Sequence, residues 1–110
     1  MNYFNPEDTI CAITTGGGMS AIAVLRISGN QAISITNSIF SKNITSAKSH
    51  TIHFGTIIED NDIVDEVLVS IFKNNNSFTG EESAEISSHG SVYIQNKIIQ
   101  LLIEKGCRAA

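Results

Sequence analysis

Short stretches that are apolar, or that alternate between apolar and polar side chains, predict several β-strands. One of them, Ala21 to Ile27, is apolar and β-branched except for Arg26. The cluster Glu59-Asp60-Asn61-Asp62 separates two others at a spacing typical of an antiparallel hairpin. The predicted strands are Asp8 to Thr15, Ala21 to Ile27, Thr51 to Ile58, Val64 to Phe72, the residues around Glu85, and the start of a further strand at Cys107 to Ala110.

Two other stretches carry apolar residues at helical spacing. From Gln31 to Phe40, isoleucines recur every few residues on one broad face, and the preceding Ser28-Gly29-Asn30 should end a strand and supply a helix cap. Ser91 is the predicted cap of a second, amphipathic helix, which Gly106 closes at the C′ position. This order of elements predicts an α+β fold with a mixed, largely antiparallel sheet and two or three helices.

Composition and charge favour a single globular domain and argue against a membrane protein or a nucleic-acid-binding protein. The chain has 110 residues, of which 42% are hydrophobic and 16% charged, which fits one globular domain. Its net charge is −4 and its Lys and Arg residues are scattered, so the chain alone is a poor candidate for binding a phosphate backbone. No apolar run is long enough to span a bilayer, and the acidic start argues against a secretory signal, so we expect a cytoplasmic protein. Cys11 and Cys107 lack the spacing of a zinc site, and neither a metal nor a disulfide is expected.

Glu85 is the first candidate for binding chemistry. In a strand, the period of two places Ala84 and Ile86 on one face and groups Glu85 with the hydroxyls of Ser83 and Ser87 on the other. A carboxylate in this position can accept two parallel N–H donors from a flat heterocycle. The simpler interpretation is a glutamate that faces solvent.

Arg26 is the second candidate, because a guanidinium inside an apolar strand must reach solvent, a carboxylate or a ligand. Pairing with an acidic residue is the simpler alternative.

The remaining polar motifs favour structural roles. The run Gly16-Gly17-Gly18 lacks the Gly-Lys-Ser/Thr ending of a phosphate loop and favours a plain connection. His89 has no nucleophile partner at a recognisable spacing, so we expect it to make a structural hydrogen bond, and we expect Glu81 and Glu82 to face water.

Four blocks of sequence together resemble the amino terminus of the MnmE (TrmE) family of tRNA-modification GTPases. The blocks are Asp8-Thr9-Ile10, Ala21 to Gly29, Asp65-Glu66-Val67, and Asn76 to Gly90 with its Asn-Ser-Phe-Thr-Gly-Glu core. Their order and spacing are more specific than any single motif. The resemblance implies that residues 1–110 are most of an N-terminal domain that binds tetrahydrofolate and dimerises, with an architecture related to that of the glycine-cleavage T-protein. The helical and GTPase domains of the family would lie outside this chain.

The resemblance also implies a site. The family's folate contacts fall on Arg26 and Glu85, for a tetrahydrofolate derivative in the 5-formyl or methylene form, and a third contact, a Lys, would lie beyond Ala110. The chain departs from many members at Thr15 to Ser20, where they have Pro-Pro-Gly-x-Gly-Gly, and at Ser91, where they have a second glycine. No catalytic or metal-binding residue is expected here. GTP, magnesium and potassium would belong to the GTPase domain, so this stretch alone should not hydrolyse GTP.

For the full-length protein, the resemblance implies a cytoplasmic homodimer that hydrolyses GTP. With the flavoprotein MnmG, it would install an aminomethyl-type group on C5 of the wobble uridine of tRNA, and it would meet tRNA only through the full complex. Two alternatives stay open at this point. One is a fragment of a folate-dependent one-carbon (aminomethyl) transferase of the T-protein type, and the other is a purely structural dimerisation module.

Overall fold

The structure, a computed structural model, describes residues 8–14, 21–73 and 81–110, which form a six-stranded sheet and two helices. The strands are β1 (Ile10–Ile13), β2 (Ile22–Gly29), β3 (Thr51–Glu59), β4 (Asp62–Lys73), β5 (Glu82–His89) and β6 (Arg108–Ala109). The helices are α1 (Ala32–Ser38) and α2 (Val92–Glu104). The predicted α+β class with a mixed, largely antiparallel sheet is confirmed.

The strands lie in the order β3-β4-β5-β2-β1-β6. Neighbouring strands are antiparallel, except for β1 and β6, which run parallel. The pairing of β2 with β5 lies at the centre of the sheet and joins its two halves. In this pairing Arg26 is the cross-strand partner of Glu85.

Both helices share one hydrophobic core with a single face of the sheet. Leu25, Ile86 and Val69 of the central strands are fully buried and belong to the same cluster as Ile98 and Leu102 of α2. Because strand side chains alternate, the residues between them point to the other side. We call that other side the open face, and its central row comprises Ala12, Arg26, Glu85, Ser70 and Ile52.

Turn and capping residues lie at several element boundaries that the sequence predicted. Asp60 and Asn61 both have positive φ, 49° and 73°, as a type I′ turn requires, and they close the predicted β3–β4 hairpin. The Ser91 hydroxyl accepts a hydrogen bond from the Ile94 N–H at 3.4 Å and begins α2. Gly106, with φ 121°, follows the C-cap of α2, and the predicted strand after it is β6.

The predicted cap of α1 is wrong. Gln31 occupies the N-cap position with no side-chain cap of its own, because the chain continues as strand β2 through Ser28 to Gly29. The first N–H groups of α1 bond to distant residues instead: Gln31 N–H donates to Thr9 Oγ1 at 3.0 Å and Ile33 N–H to Glu82 Oε1 at 3.2 Å. The helix also ends earlier than predicted, at Ser38.

Cys11 and Cys107 are both free thiols and both buried. The fold brings them together, since β6 begins directly after Cys107 and pairs with β1. A hydrogen bond to Cys11, together with burial, raises the pKa of the Cys107 thiol. Cys107 therefore stays protonated and acts as a small core residue.

Candidate functional site

A loose ion pair lies at the centre of the open face. Arg26 Nη1 on β2 is 3.5 Å from Glu85 Oε2 on β5, and the two side chains are 52% and 31% exposed. A strong charge-assisted hydrogen bond between such groups is shorter, roughly 2.7–2.9 Å. Both groups therefore keep donors and acceptors that another molecule can reach. The structure thus brings together the two residues that the sequence singled out. It also shows Arg26 paired with an acidic residue, which was the simpler alternative to ligand binding.

The strand register determines what surrounds this pair. Ser28 and Ser83 are cross-strand partners one step along the open face, and Phe72 of β4 is the partner of Ser83. One step in the other direction lies a row that is mostly apolar, formed by Val24, Ser87, Leu68 and Phe54. Glu85 therefore shares its face with the hydroxyls of Ser83 and Ser87, and this prediction is confirmed.

A pocket of about 450 Å³ opens beside Arg26, where β4 ends and β5 begins. Its volume lies in the range of small-molecule sites, roughly 300–1,000 Å³. Its walls combine the rings of His50 and Phe72, which meet edge to face with their centroids 5.5 Å apart, with charged and hydroxyl groups. The lining residues are Arg26, Ser28, His50, Phe72, Lys73, Glu81, Glu82 and Ser83.

The sequence did not single out His50, Phe72 or Lys73. The alternation along β4 was enough to place Phe72 on the same face as Ser70. What the sequence lacked was the register of β4 against β5, which places Phe72 beside Ser83. His50 reaches the pocket from the turn before β3, with φ 64°, and no local pattern predicted this position.

Of Glu81 and Glu82, which were both expected to face water, Glu82 does not. Its position in the register, opposite Gly29, places it next to the beginning of α1. Its carboxylate is half-buried and accepts the Ile33 N–H of that helix. Glu81 is exposed, as predicted.

A second polar pair lies at the other end of β5. His89 Nδ1 is 2.7 Å from Asp65 Oδ1, and the backbone N–H of His89 donates to Asp65 Oδ2 at 2.8 Å. One carboxylate thus holds both the backbone and the ring of His89. The predicted hydrogen-bonding role of His89 is confirmed.

Several expectations concern residues that the structure does not describe. The glycine run Gly16-Gly17-Gly18 and the departure from the family at Thr15 to Ser20 fall outside the described residues, as does most of the Asn-Ser-Phe-Thr-Gly-Glu core. Within the described ranges, no group of three or more His, Cys, Asp and Glu side chains is arranged to hold a metal ion. Neither α1 nor α2 is long and apolar enough to cross a membrane.

Comparison with known proteins decides the family. The chain matches the family model described as the N-terminus of the GTP-binding protein TrmE over residues 9–110. The chain belongs to this family. The resemblance to the TrmE family noted in the sequence is therefore confirmed.

Relatives of the TrmE family align with nearly the whole chain. It is 55% identical to the tRNA modification GTPase MnmE of Flavobacterium johnsoniae in an alignment of 108 positions that covers 94% of this chain and 23% of that relative. It is 49% identical to the MnmE of Cytophaga hutchinsonii in an alignment of 107 positions that covers 96% of this chain and 23% of the relative. It is 48% identical to the MnmE of Streptococcus thermophilus in an alignment of 111 positions that covers 100% of this chain and 24% of the relative. The chain thus spans about a quarter of the length of these curated relatives.

Proposed function

We propose that residues 1–110 are most of the tetrahydrofolate-binding and dimerising N-terminal domain of a tRNA-modification GTPase. Membership of the TrmE family and the names of the relatives support the domain assignment. One structural observation supports the ligand: Arg26 and Glu85 face each other, partly exposed, on the open face of the sheet, beside a pocket.

The donor and acceptor set of this pair fits a reduced folate in the 5-formyl or methylene form. The Glu85 carboxylate can accept from the adjacent ring N–H and amino groups of a pterin, and the Arg26 guanidinium can donate to a carbonyl or carboxylate of the same ligand. Exposed ion pairs contribute only about 0–1 kcal/mol, so exchanging Arg26–Glu85 contacts for ligand contacts costs little. The hydroxyls of Ser28 and Ser83 supply further donors and acceptors next to the pair.

Dimerisation is the second part of the proposal. Large apolar side chains of the described strands are more than two-fifths exposed on the open face, among them Ile22, Ile52, Phe54 and Leu68. Apolar side chains grouped on one face in this way are typical of a surface that another protein covers. A second copy of the chain on this face would bury them and would also enclose the ion pair.

For the longer protein we propose the activity that its relatives' name describes. GTP, with magnesium and potassium, would bind in a separate domain. Together with MnmG, the cytoplasmic homodimer would install an aminomethyl-type group on C5 of the wobble uridine of tRNA. Because the relatives are named as GTPases, the family match favours this proposal over a one-carbon transferase of the T-protein type.

Calorimetry tests the ligand. We expect 5-formyltetrahydrofolate to bind the chain, and we expect Arg26→Ala and Glu85→Ala each to weaken binding by about 10- to 100-fold, since each removes a charged hydrogen-bond partner worth about 1.5–3 kcal/mol. Arg108→Ala is the matched control, because Arg108 is an exposed arginine at the edge of the sheet, 3.3 Å from Asp8. It should bind as the unmodified chain does.

Unchanged affinity in both site variants would refute the roles of Arg26 and Glu85. A chain that forms dimers but binds no folate would favour the structural dimerisation module instead.

A further inference from the structure

We propose that His89 and Glu66 form a second binding site on the open face, for a small molecule that carries a primary amine. The site lies at the other end of β5 from the pocket beside Arg26. Glu85 and His89 are four residues apart on one face of β5, a separation of about 13 Å. The inference goes beyond the proposed function and does not depend on it, because neither Arg26 nor Glu85 takes part.

Asp65 fixes the ring of His89 in one orientation. Its Oδ1 lies 2.7 Å from the ring Nδ1, and its Oδ2 accepts the backbone N–H of His89 at 2.8 Å. A carboxylate only accepts hydrogen bonds, so Nδ1 carries the proton of the neutral ring and Nε2 is an acceptor. The backbone bond alone would be enough to hold the end of β5. The bond to the ring has a different effect, because it holds the Nε2 acceptor in place.

The ring of His89 remains open to a ligand. Its side chain is 70% exposed, whereas that of Asp65 is only 9% exposed. His89 lines a depression of about 210 Å³ on the open face. This volume is below the roughly 300–1,000 Å³ of sites for drug-sized molecules, so the depression suits a molecule of only a few heavy atoms. A second copy on the open face would enclose it.

The polar groups of this depression favour a cation. Glu66 is an exposed acid, and none of the described residues that line the depression is Lys or Arg. An ammonium group has three donors and no acceptor, which matches the Glu66 carboxylate, the His89 Nε2 and the Ser87 hydroxyl. Lys42 should oppose such a ligand, since its Nζ lies near the depression, 6.0 Å from the centroid of the Phe54 ring.

The rest of the wall suits a short hydrocarbon chain. Ile22 is the cross-strand partner of His89, and Leu68 is the partner of Phe54. All three apolar side chains are exposed and line the depression. A chain of about three carbons can lie against them while its amine reaches the polar groups.

Three probes of equal size and different charge test the site: n-propylamine, n-propanol and propionate. Titrations of the isotope-labelled chain are followed by NMR, through the backbone and ring signals of His89, at a pH where the ring is neutral. We expect propylamine to bind about three- to tenfold more tightly than propanol, and propionate not to bind. The ring signals should show the proton on Nδ1.

Variants assign the binding to its residues. Glu66→Gln should weaken propylamine binding about three- to fivefold and leave propanol binding within about twofold. Asp65→Asn should move the ring proton to Nε2, because an amide can donate to Nδ1, and should weaken propylamine binding by a similar factor. Lys42→Gln should tighten propylamine binding slightly. Glu104→Gln, which removes an exposed acid of α2, is the matched control and should have no effect.

The other outcomes overturn the inference. Equal affinity for propylamine and propanol, or no binding of either, would exclude an amine site. A proton on Nε2 in the unmodified chain would remove the acceptor. Equal weakening by Glu66→Gln and Glu104→Gln would show only a general attraction to an acidic protein. Glu85→Ala should leave propylamine binding unchanged, so a failure of the folate proposal would leave this result intact. Thermal unfolding checks that Asp65→Asn is folded, and Glu66→Gln decides the question if it is not.

Discussion

Two glycines with positive φ differ in what surrounds them. Gly29 has φ 134°, and a Cβ added there would lie 2.8 Å from both the Cα and the Oγ1 of Thr9. Gly106 has φ 121°, but its nearest neighbour, Ile35 Cδ1, would be an ordinary 3.5 Å away. Gly29 is therefore required for two reasons, its backbone conformation and the close approach of Thr9, whereas Gly106 is required only for its conformation.

This difference predicts two unequal losses of stability. Gly29→Ala should lower the free energy of unfolding by about 3 kcal/mol or more, since strain and a backbone clash add. Gly106→Ala, the matched control, should cost only about 1 kcal/mol. Urea denaturation of both variants at one pH measures the difference. Equal losses would show that Thr9 moves away at no cost.

Helix α1 is a short element whose first turn depends on another part of the chain. It has seven residues and no side-chain cap of its own. The carboxylate of Glu82, 49 positions further along the chain, accepts the Ile33 N–H. Isolated helices of this length are unstable in water, so contacts of this kind and burial of Ile33 and Ile35 maintain it.

Removing the carboxylate tests this dependence. Glu82→Ala should lower the free energy of unfolding by about 1 kcal/mol, the usual cost of losing an N-terminal cap. Glu82→Gln keeps an acceptor oxygen and should recover most of the loss. Glu81→Ala, next to it but exposed, is the control and should change stability by less than about 0.5 kcal/mol. A loss as large for Glu81→Ala as for Glu82→Ala would contradict the capping role.

The elements that the sequence predicted well are those specified by neighbouring residues. The Asp60–Asn61 turn, the Ser91 cap and Gly106 each act within a few positions of themselves. Arg26 and Glu85 could be singled out because each breaks a local pattern. Their partnership, the cap from Glu82 and the wall formed by Phe72 depend on how β2 and β4 pair with β5. That register depends on packing across the whole sheet. It therefore cannot be predicted from any single short segment of the sequence.

The whole molecule presents two different sides. The core side is covered by α1 and α2, while the open face exposes Phe54 by 55% and Leu68 by 44%. Apolar side chains also occur singly elsewhere, for example Ile103 on α2, which is 44% exposed. The open face differs because Ile22, Phe54 and Leu68 lie together on it, around one depression. A cluster of exposed apolar side chains with polar groups beside it is typical of a protein interface.

The proposed dimer gives a prediction at this scale. Sedimentation velocity of the chain should show a dimer, and Phe54→Lys and Leu68→Lys should each shift it toward monomer, since each would bury an unpaired charge. Ile103→Lys makes the same change on the helical side and should leave the dimer intact. A dimer that resists both open-face substitutions and dissociates with Ile103→Lys would place the interface on α2.

The central seam between β2 and β5 also has a consequence for how the molecule assembles. Arg26 and Glu85 are 59 positions apart, whereas β3 and β4 are joined by a two-residue turn. Such distant pairings require the closure of a long loop, which hairpins avoid. Arg26 and Glu85 therefore meet only once this seam has closed. Any small molecule held by both side chains stabilises that closure by mass action, so a cell depleted of it would hold a domain that opens more readily through its middle.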